Sequence, residues 1–229
     1  MFEQLKTEVY QANIDLVRHG LVTRTWGNVS GIDRSAGRVA IKPSGVEYED
    51  LTADDMMVLD MEGNVIDGDL RPSSDAPTHL ELYRAFSSVG GVVHTHSVYA
   101  TMFAQACREI PCLGTTHADH FNGPVPVTRF LSADEVRQGY ERLTGQIIIE
   151  RFLTLDPTET PGVLVAGHAP FAWGRDAAGA VRNSLVLERI AQMAIGTFQL
   201  NPAVSPLPKH IQNKHYRRKH GPNAYYGQK

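Results

Sequence analysis

Apolar side chains recur along the chain at two spacings, one typical of helices and the other typical of strands. The first helical stretch ends at Gly20, a residue that often follows a helix. Ser132 and Glu135 have the spacing of a capping box, which marks the start of a later helix. The pattern predicts this opening helix and four more, over residues 76–86, 99–107, 132–151 and 176–200.

Short runs of β-branched and apolar residues predict strands, mainly in the first half of the chain. Residues 29–32 and 38–41 flank a small-residue turn, as do residues 56–59 and 65–66, so each pair predicts a hairpin. Two further runs, 90–93 and 163–167, end next to a histidine. These elements predict a single α/β domain with a mixed, largely antiparallel central sheet covered by helices on both faces.

Composition limits the class of protein. The 229 residues have 42% hydrophobic content, enough for one sizeable core. A formal net charge of -3 predicts no general attraction to nucleic acid or to an anionic membrane. The chain start lacks a signal-peptide pattern, and no apolar run approaches the ~20 residues of a membrane span. Cys107 and Cys112 match no metal or redox spacing, so we expect free thiols in a cytoplasmic protein.

The end of the chain differs in composition from the rest. Residues 201–208 contain three prolines and precede a basic run, 209–220. We therefore expect one domain over 1–229, in which 201–229 form a C-terminal tail. On its own, the basic run is more typical of a solvated helix face.

Three histidines follow strand-like runs and suggest a metal site. His94 and His96 are two residues apart, so on a strand they project from the same face, and His168 follows the second run. Asp75, which ends a small-residue loop before a helix, offers a carboxylate. Three imidazoles and a carboxylate suit zinc, or manganese or cobalt. Structural hydrogen bonding of the histidines and helix capping by Asp75 are the open alternatives.

Three loops of small residues, 27–31, 42–45 and 72–75, offer backbone N–H groups and hydroxyls without bulk. Lys42 adds a positive charge to the second loop. None of the three matches a nucleotide-binding motif, but together they have the chemistry of a phosphate nest. Taken singly, each loop is more typical of an ordinary turn.

Five segments in order resemble the class II aldolase family, and more narrowly its pentulose-phosphate 4-epimerases. They are residues 25–30 (TWGNVS), 41–46 (IKPSGV), 72–75 (PSSD), 93–97 (VHTHS) and 114–119 (GTTHAD). The similarity continues through the tail, residues 214–228, and so covers essentially the whole chain. Family aldolases generally have glutamate where this chain has Asp75, which favours an epimerase. One segment departs from the family pattern, because residues 166–170 read AGHAP where relatives have His-Ser-His-Gly-Pro.

The resemblance implies roles for particular residues. It makes His94, His96 and His168, with Asp75, the ligands of a zinc ion, for which Mn²⁺ or Co²⁺ can substitute. It makes Asp119 and Tyr226 the catalytic acid and base. The residues that it places around the substrate are Gly27, Asn28, Lys42, Ser44, Gly45, Ser73 and Ser74.

The implied reaction interconverts L-ribulose 5-phosphate and D-xylulose 5-phosphate, in the catabolism of arabinose or ascorbate. The C4 hydrogen is not adjacent to the C2 carbonyl and is not acidic, so inversion requires C3–C4 cleavage, rotation of the aldehyde and re-addition. Members of the family form homotetramers with active sites between subunits. The resemblance therefore implies that the tail brings Tyr226 to a neighbour's site, opposite Asp119. His215 and Arg218 are further candidates there.

Two other functions remain open at this stage. A class II sugar-phosphate aldolase, such as L-fuculose-phosphate aldolase, would release its two fragments instead of rejoining them. A non-catalytic metal-binding protein would use the histidines for stability alone. For Asp119, orientation of a neighbouring histidine is the alternative to catalysis, and a position as close to the C-terminus as that of Tyr226 is usually disordered.

Overall fold

The computed structural model describes residues 2–226. In these residues the helices are α1 (Glu3–Arg18), α2 (Ala76–Ala85), α3 (Val98–Gln105), α4 (Thr115–Ala118), α5 (Ala133–Arg151), α6 (Ala177–Leu200) and α7 (Lys209–His220). The strands are β1 (Asn28–Asp33), β2 (Arg38–Ile41), β3 (Met57–Asp60), β4 (Val65–Asp67), β5 (Gly91–His94), β6 (Gly162–Leu164) and β7 (Pro170–Gly174). The five predicted helices and both predicted hairpins are confirmed.

One sheet of seven strands runs through the described residues in the order β4-β3-β2-β1-β5-β7-β6. All six strand pairings are antiparallel, which confirms the largely antiparallel sheet. The predicted sheet was mixed, but among these residues parallel pairing is limited to an isolated bridge between Val127 and Leu164. The hydrophobic spacing did not reveal β7, because Phe171, Ala172 and Trp173 are all buried and show no alternation.

Helices cover both faces of the sheet, as predicted. On one face α1 and α6 bury residues such as Val9 and Ala180 against Val93 of β5. On the other face α2 and α5 bury Leu80 and Ile148 against Val92 of the same strand. Side chains alternate between faces, so His94 projects from the end of β5 on the side of α2 and α5.

The segment that follows the two histidines is anchored from α6. Ser97 occupies the N-cap position of α3, but its side chain makes no capping hydrogen bond. Instead, the buried carboxylate of Glu188 accepts hydrogen bonds from the backbone N–H groups of Tyr99 (3.0 Å) and Ala100 (2.9 Å). A negative charge at a helix N-terminus is favourable. Glu188 therefore fixes the chain where it leaves His96.

Candidate metal centre and active-site cleft

The three predicted histidines meet at one point. Ligand atoms of His94, His96 and His168 all lie within 4.8 Å of one another. The Nε2 atoms of His94 and His96 are 3.2 Å apart, so the two nitrogens cannot both carry a proton. Among residues 2–226 this is the one cluster of three potential metal-binding side chains. The predicted convergence of the three histidines is confirmed.

Hydrogen bonds orient two of these imidazoles. His94 Nδ1–H donates to the carbonyl of Pro170 at 3.0 Å, which leaves the Nε2 lone pair directed at the other histidines. The ring of His94 also stacks on Phe171, with centroids 4.2 Å apart. The hydroxyl of Tyr140 lies 3.4 Å from His168 Nδ1. Second contacts of this kind normally fix the orientation of metal-binding histidines.

The cluster favours neutral imidazoles, the form that binds a metal. Burial, together with His94 and His96, lowers the pKa of His168 to about 4. Burial, and next His94, lowers the pKa of His96 as well. Three imidazole nitrogens in one open cleft fit a divalent cation that retains a position for substrate.

Asp75 lies in the same cleft, although it is not one of the three converging groups. It stands at the N-cap position of α2, but its side chain makes no capping bond, so the capping alternative is wrong for the carboxylate. Its Oδ2 instead accepts a hydrogen bond of 2.7 Å from Asn28. Burial raises the pKa of Asp75, but His94, His79 and the Asn28 hydrogen bond outweigh that effect, so the pKa lies below its ordinary value.

The histidines open into a cleft of about 570 Å³ that also contains every residue predicted to bind substrate. Those residues are Gly27, Asn28, Lys42, Ser44, Gly45, Ser73 and Ser74. The three small-residue loops thus lie at one site. Asn28 Nδ2 donates to Ser73 Oγ at 3.0 Å and so links two of these loops, while its Oδ1 is buried without a hydrogen-bond partner in residues 2–226.

Gly27 and Lys42 shape the cleft as well as line it. Gly27 has φ +90°, and a Cβ there would lie 2.9 Å from the His94 carbonyl oxygen, so glycine lets this loop approach β5. The Lys42 ammonium donates to the Val46 carbonyl at 2.6 Å. Burial lowers the Lys42 pKa to about 8, which still leaves the group mostly protonated at neutral pH. The buried, charged Lys42 side chain therefore stabilises the 42–46 segment through this hydrogen bond.

Four residues to which no role was assigned from the sequence also line the cleft: Thr25, Trp26, Tyr140 and Glu141. Tyr140 and Glu141 reach it because α5 breaks at Gly139, whose φ of 141° and ψ of 89° are not helical. An isolated glycine in a helical pattern was the available signal. Trp26 is 57% exposed, and its ring centroid lies 6.3 Å from that of His96.

Asp119 and Tyr226 form a second cluster, outside the lining of this cleft. Arg218 binds both oxygens of Asp119, at 2.9 Å and 2.6 Å, and His215 Nδ1 lies 3.1 Å from Oδ1. The guanidinium of Arg218 also lies over the Tyr226 ring, 4.4 Å from its centroid. Burial raises the Asp119 pKa, but Arg218, His215 and Lys219 together lower it by more, so the pKa is below its ordinary value.

This second cluster is formed within one chain. Residues 209–220 form a helix, α7, which packs on α4 of its own chain through Asp119. Asp119 and Tyr226, expected from neighbouring subunits, therefore share Arg218 within one chain. The remaining tail residues, 227–229, lie outside the described part.

His117, two residues before Asp119, gives the fold a dependence on acid. It is buried and its Nε2–H donates to the Gly123 carbonyl at 2.8 Å. Burial lowers its pKa to about 4, so below its ordinary value of 6.5 the unfolded chain binds more protons than the folded one.

We expect that stability falls between pH 6.5 and pH 4 partly because of His117, by about 2 kcal/mol at pH 5. His117→Gln keeps a hydrogen-bond donor but cannot titrate. Urea unfolding of metal-free wild type and variant at pH 7.5 and pH 5 should show a smaller pH effect in the variant. Equal pH effects in both proteins would contradict the assignment.

Comparison with known proteins fixes the family. Residues 7–195 match the family model described as Class II Aldolase and Adducin N-terminal domain. The chain belongs to the class II aldolase family. It is 57% identical over 227 residues to a protein of Salmonella paratyphi C (strain RKS4594) named L-ribulose-5-phosphate 4-epimerase UlaF, covering 99% of this chain and 100% of that relative.

Solved structures of family members share the fold. One, named L-fuculose 1-phosphate aldolase, has a TM-score of 0.79 at 23% identity, over 94% of this chain and 95% of the other. Another, L-fuculose 1-phosphate aldolase from Glaciozyma antarctica PI12, has a TM-score of 0.76 at 16% identity, over 94% of this chain and 81% of the other. At these identities the similarity establishes the architecture alone. No helix within residues 2–226 is long and apolar enough to span a membrane.

Proposed function

We propose that this protein is a metal-dependent L-ribulose-5-phosphate 4-epimerase, an isomerase that interconverts L-ribulose 5-phosphate and D-xylulose 5-phosphate in cytoplasmic pentose catabolism. The observation that carries the proposal is the 57% identity with an epimerase over almost the full length of both chains. The aldolase structures are below 25% identity, so they do not favour the aldolase reaction.

The donor set fits a resident divalent cation. Three imidazoles with an adjacent carboxylate suit Zn²⁺, and Mn²⁺ or Co²⁺ as substitutes. His94, His96 and His168 would hold the ion, with Asp75 beside it. When bound, the ion supplies Lewis-acid stabilisation of negative charge on the oxygens of the ketose.

The residues of the cleft have distinct tasks in this reaction. Ser44, Gly45 and the serines of the 72–75 loop would bind the phosphate through hydroxyls and backbone N–H groups. A phosphate held in this way keeps glycolaldehyde phosphate in the cleft after C3–C4 cleavage, while its aldehyde rotates. The C1–C3 fragment, an enediolate, then attacks the opposite face, and C4 is inverted.

Proton transfer requires two groups near the C4 oxygen. Asp119, held ionised beside Arg218, is suited to accept the proton of the C4 hydroxyl as the C3–C4 bond breaks. The Tyr226 phenol is suited to donate a proton to the C4 oxygen as the bond forms again. Proton exchange with water then returns Asp119 to its carboxylate and Tyr226 to its phenol, and in the reverse direction the two groups exchange roles. Substrate and product are isomers at the same oxidation level, so the reaction needs no redox cofactor.

We also propose a homotetramer in which each active site combines two chains. The cleft with the histidines would belong to one subunit, and the cluster of Asp119, Arg218 and Tyr226 to its neighbour. Two features support this arrangement. The cluster does not line the cleft of its own chain, and Tyr226 is 57% exposed, although a catalytic phenol requires a substrate beside it.

The deciding experiment is incubation of the metal-loaded protein with L-ribulose 5-phosphate, followed by coupled detection of D-xylulose 5-phosphate. An epimerase gives D-xylulose 5-phosphate and releases neither fragment. Accumulation of free dihydroxyacetone and glycolaldehyde phosphate would instead identify an aldolase. Metal binding with neither product would identify a non-catalytic protein.

We expect Ser44→Ala to weaken substrate binding more than folding, because Ser44 is exposed in the cleft. Loss of one hydrogen bond to a charged phosphate costs about 1.5–3 kcal/mol, which should raise KM by roughly ten- to a hundredfold. Asn28→Ala should have at least as large an effect, because Asn28 also holds Asp75. Ser205→Ala, exposed in the tail, is the matched control. Unchanged kinetics in both cleft variants would remove these loops from the site.

A further inference from the structure

A line of three buried polar side chains lies beneath the metal cleft. Ser30 of β1 and His79 and Tyr83 of α2 are at most 1% exposed. Ser30 Oγ lies 2.7 Å from His79 Nδ1 and 2.8 Å from the Tyr83 hydroxyl. Burying three polar groups in an otherwise apolar layer is costly unless every one of them is hydrogen-bonded.

The direction of donation between Tyr83, Ser30 and His79 decides which ring nitrogen of His79 carries the proton. Burial raises the pKa of the Tyr83 phenol, so it keeps its proton and can donate it to Ser30. Burial lowers the pKa of His79 to about 3, so its imidazole is neutral. A neutral imidazole carries one ring proton, which is on Nδ1 if His79 donates to Ser30 and on Nε2 if Ser30 donates to Nδ1. That Nε2 is buried and has no hydrogen-bond partner in residues 2–226.

His79 is connected to two groups of the metal centre. Asp75 lies one helical turn before His79, where side chains share a face, and its backbone carbonyl accepts the His79 backbone N–H at 3.2 Å. The His79 ring meets Phe171 edge-on at 6.0 Å between centroids, and Phe171 stacks on His94.

We propose that His79 is a positioning residue for the metal centre: Ser30 donates to His79 Nδ1, and the Nε2–H that results becomes the hydrogen-bond donor to the Asp75 carboxylate when a metal ion is bound. The Asp75 oxygen that Asn28 does not bind is then the acceptor. This proposal rests on the proposed metal-dependent function, and it explains why a histidine with a fixed ring orientation occupies a layer that leucine could fill.

Metal affinity of the purified protein tests it without substrate. His79→Leu should weaken Co²⁺ binding at least tenfold in competition with a chelator, as is typical when a partner of a ligand is lost. It should also alter the visible absorption spectrum of bound Co²⁺. His79→Gln, which retains an N–H donor, should restore most of the affinity. Urea unfolding of the metal-free proteins should not follow this order, because an apolar side chain satisfies a buried layer at least as well.

Two results would overturn the proposal. One is a His79→Leu protein that binds Co²⁺ as tightly as wild type with the same spectrum, and the other is a Gln variant as impaired as Leu. If the Leu variant does not fold, Ser30→Ala decides. It frees the imidazole to change tautomer and should also weaken Co²⁺ binding, so unchanged binding would refute the role. A wild type that binds Co²⁺ but has no epimerase activity would refute the proposed function and leave this test intact.

Discussion

Replacement of His96 by asparagine is expected to remove bound metal and epimerase activity together. His96 is the most exposed of the three clustered histidines, so its loss leaves no large cavity, and the fold should persist. The remaining imidazoles of His94 and His168 would hold a divalent ion weakly. We expect metal affinity to fall by more than the 10- to 100-fold that loss of an outer hydrogen-bond partner causes.

Elemental analysis of the purified variant, together with turnover of L-ribulose 5-phosphate, measures both effects. His19→Asn, an exposed histidine at the end of α1, is the control for a generic change of histidine to asparagine. A His96→Asn protein with full metal content and full turnover would show that the cluster is structural. Loss of activity with full metal content would instead limit His96 to a role in catalysis.

The metal cluster was predictable because its signals are local. The spacing of two residues between His94 and His96 predicted the pair, although β5 ends at His94 and His96 lies just beyond the strand. The loops at Asn28, Ser44 and Ser73 were predictable from their small polar residues, since such residues at turns leave room for a ligand. Their convergence on one cleft followed from the family resemblance, because spacing alone does not determine which loops meet.

Other features depend on contacts between residues distant in sequence. Arg218 binds Asp119 across 99 positions, and no local pattern pairs them. Within this chain Arg218 also lies over the Tyr226 ring, so both residues contact one guanidinium, whereas the resemblance implied that they act from neighbouring subunits. Tyr140 reaches the cleft only because the backbone of Gly139 interrupts α5, and a lone glycine does not specify the direction of the break. β7 was missed because both of its faces are buried.

Mixing of two inactive variants is expected to restore activity when the variants damage different halves of the site. His96→Asn removes the metal half, and Tyr226→Phe removes the phenol but keeps the ring on which Arg218 lies. In a ring of subunits, a Tyr226→Phe chain supplies an intact cleft to a neighbour whose tail is intact. Random exchange in equal amounts should then complete about a quarter of the sites.

A second mixture shows which chain supplies each group. Asp119→Asn and Tyr226→Phe damage the same half, because Arg218 joins the two residues within one chain. Every site in that mixture lacks one proton-transfer group, so we expect no activity, with subunit exchange confirmed by mass spectrometry. If this mixture is active, Asp119 and Tyr226 act from different chains. If neither mixture is active despite exchange, each site is built from a single chain, and α7 must move to bring Tyr226 to the histidines of its own subunit.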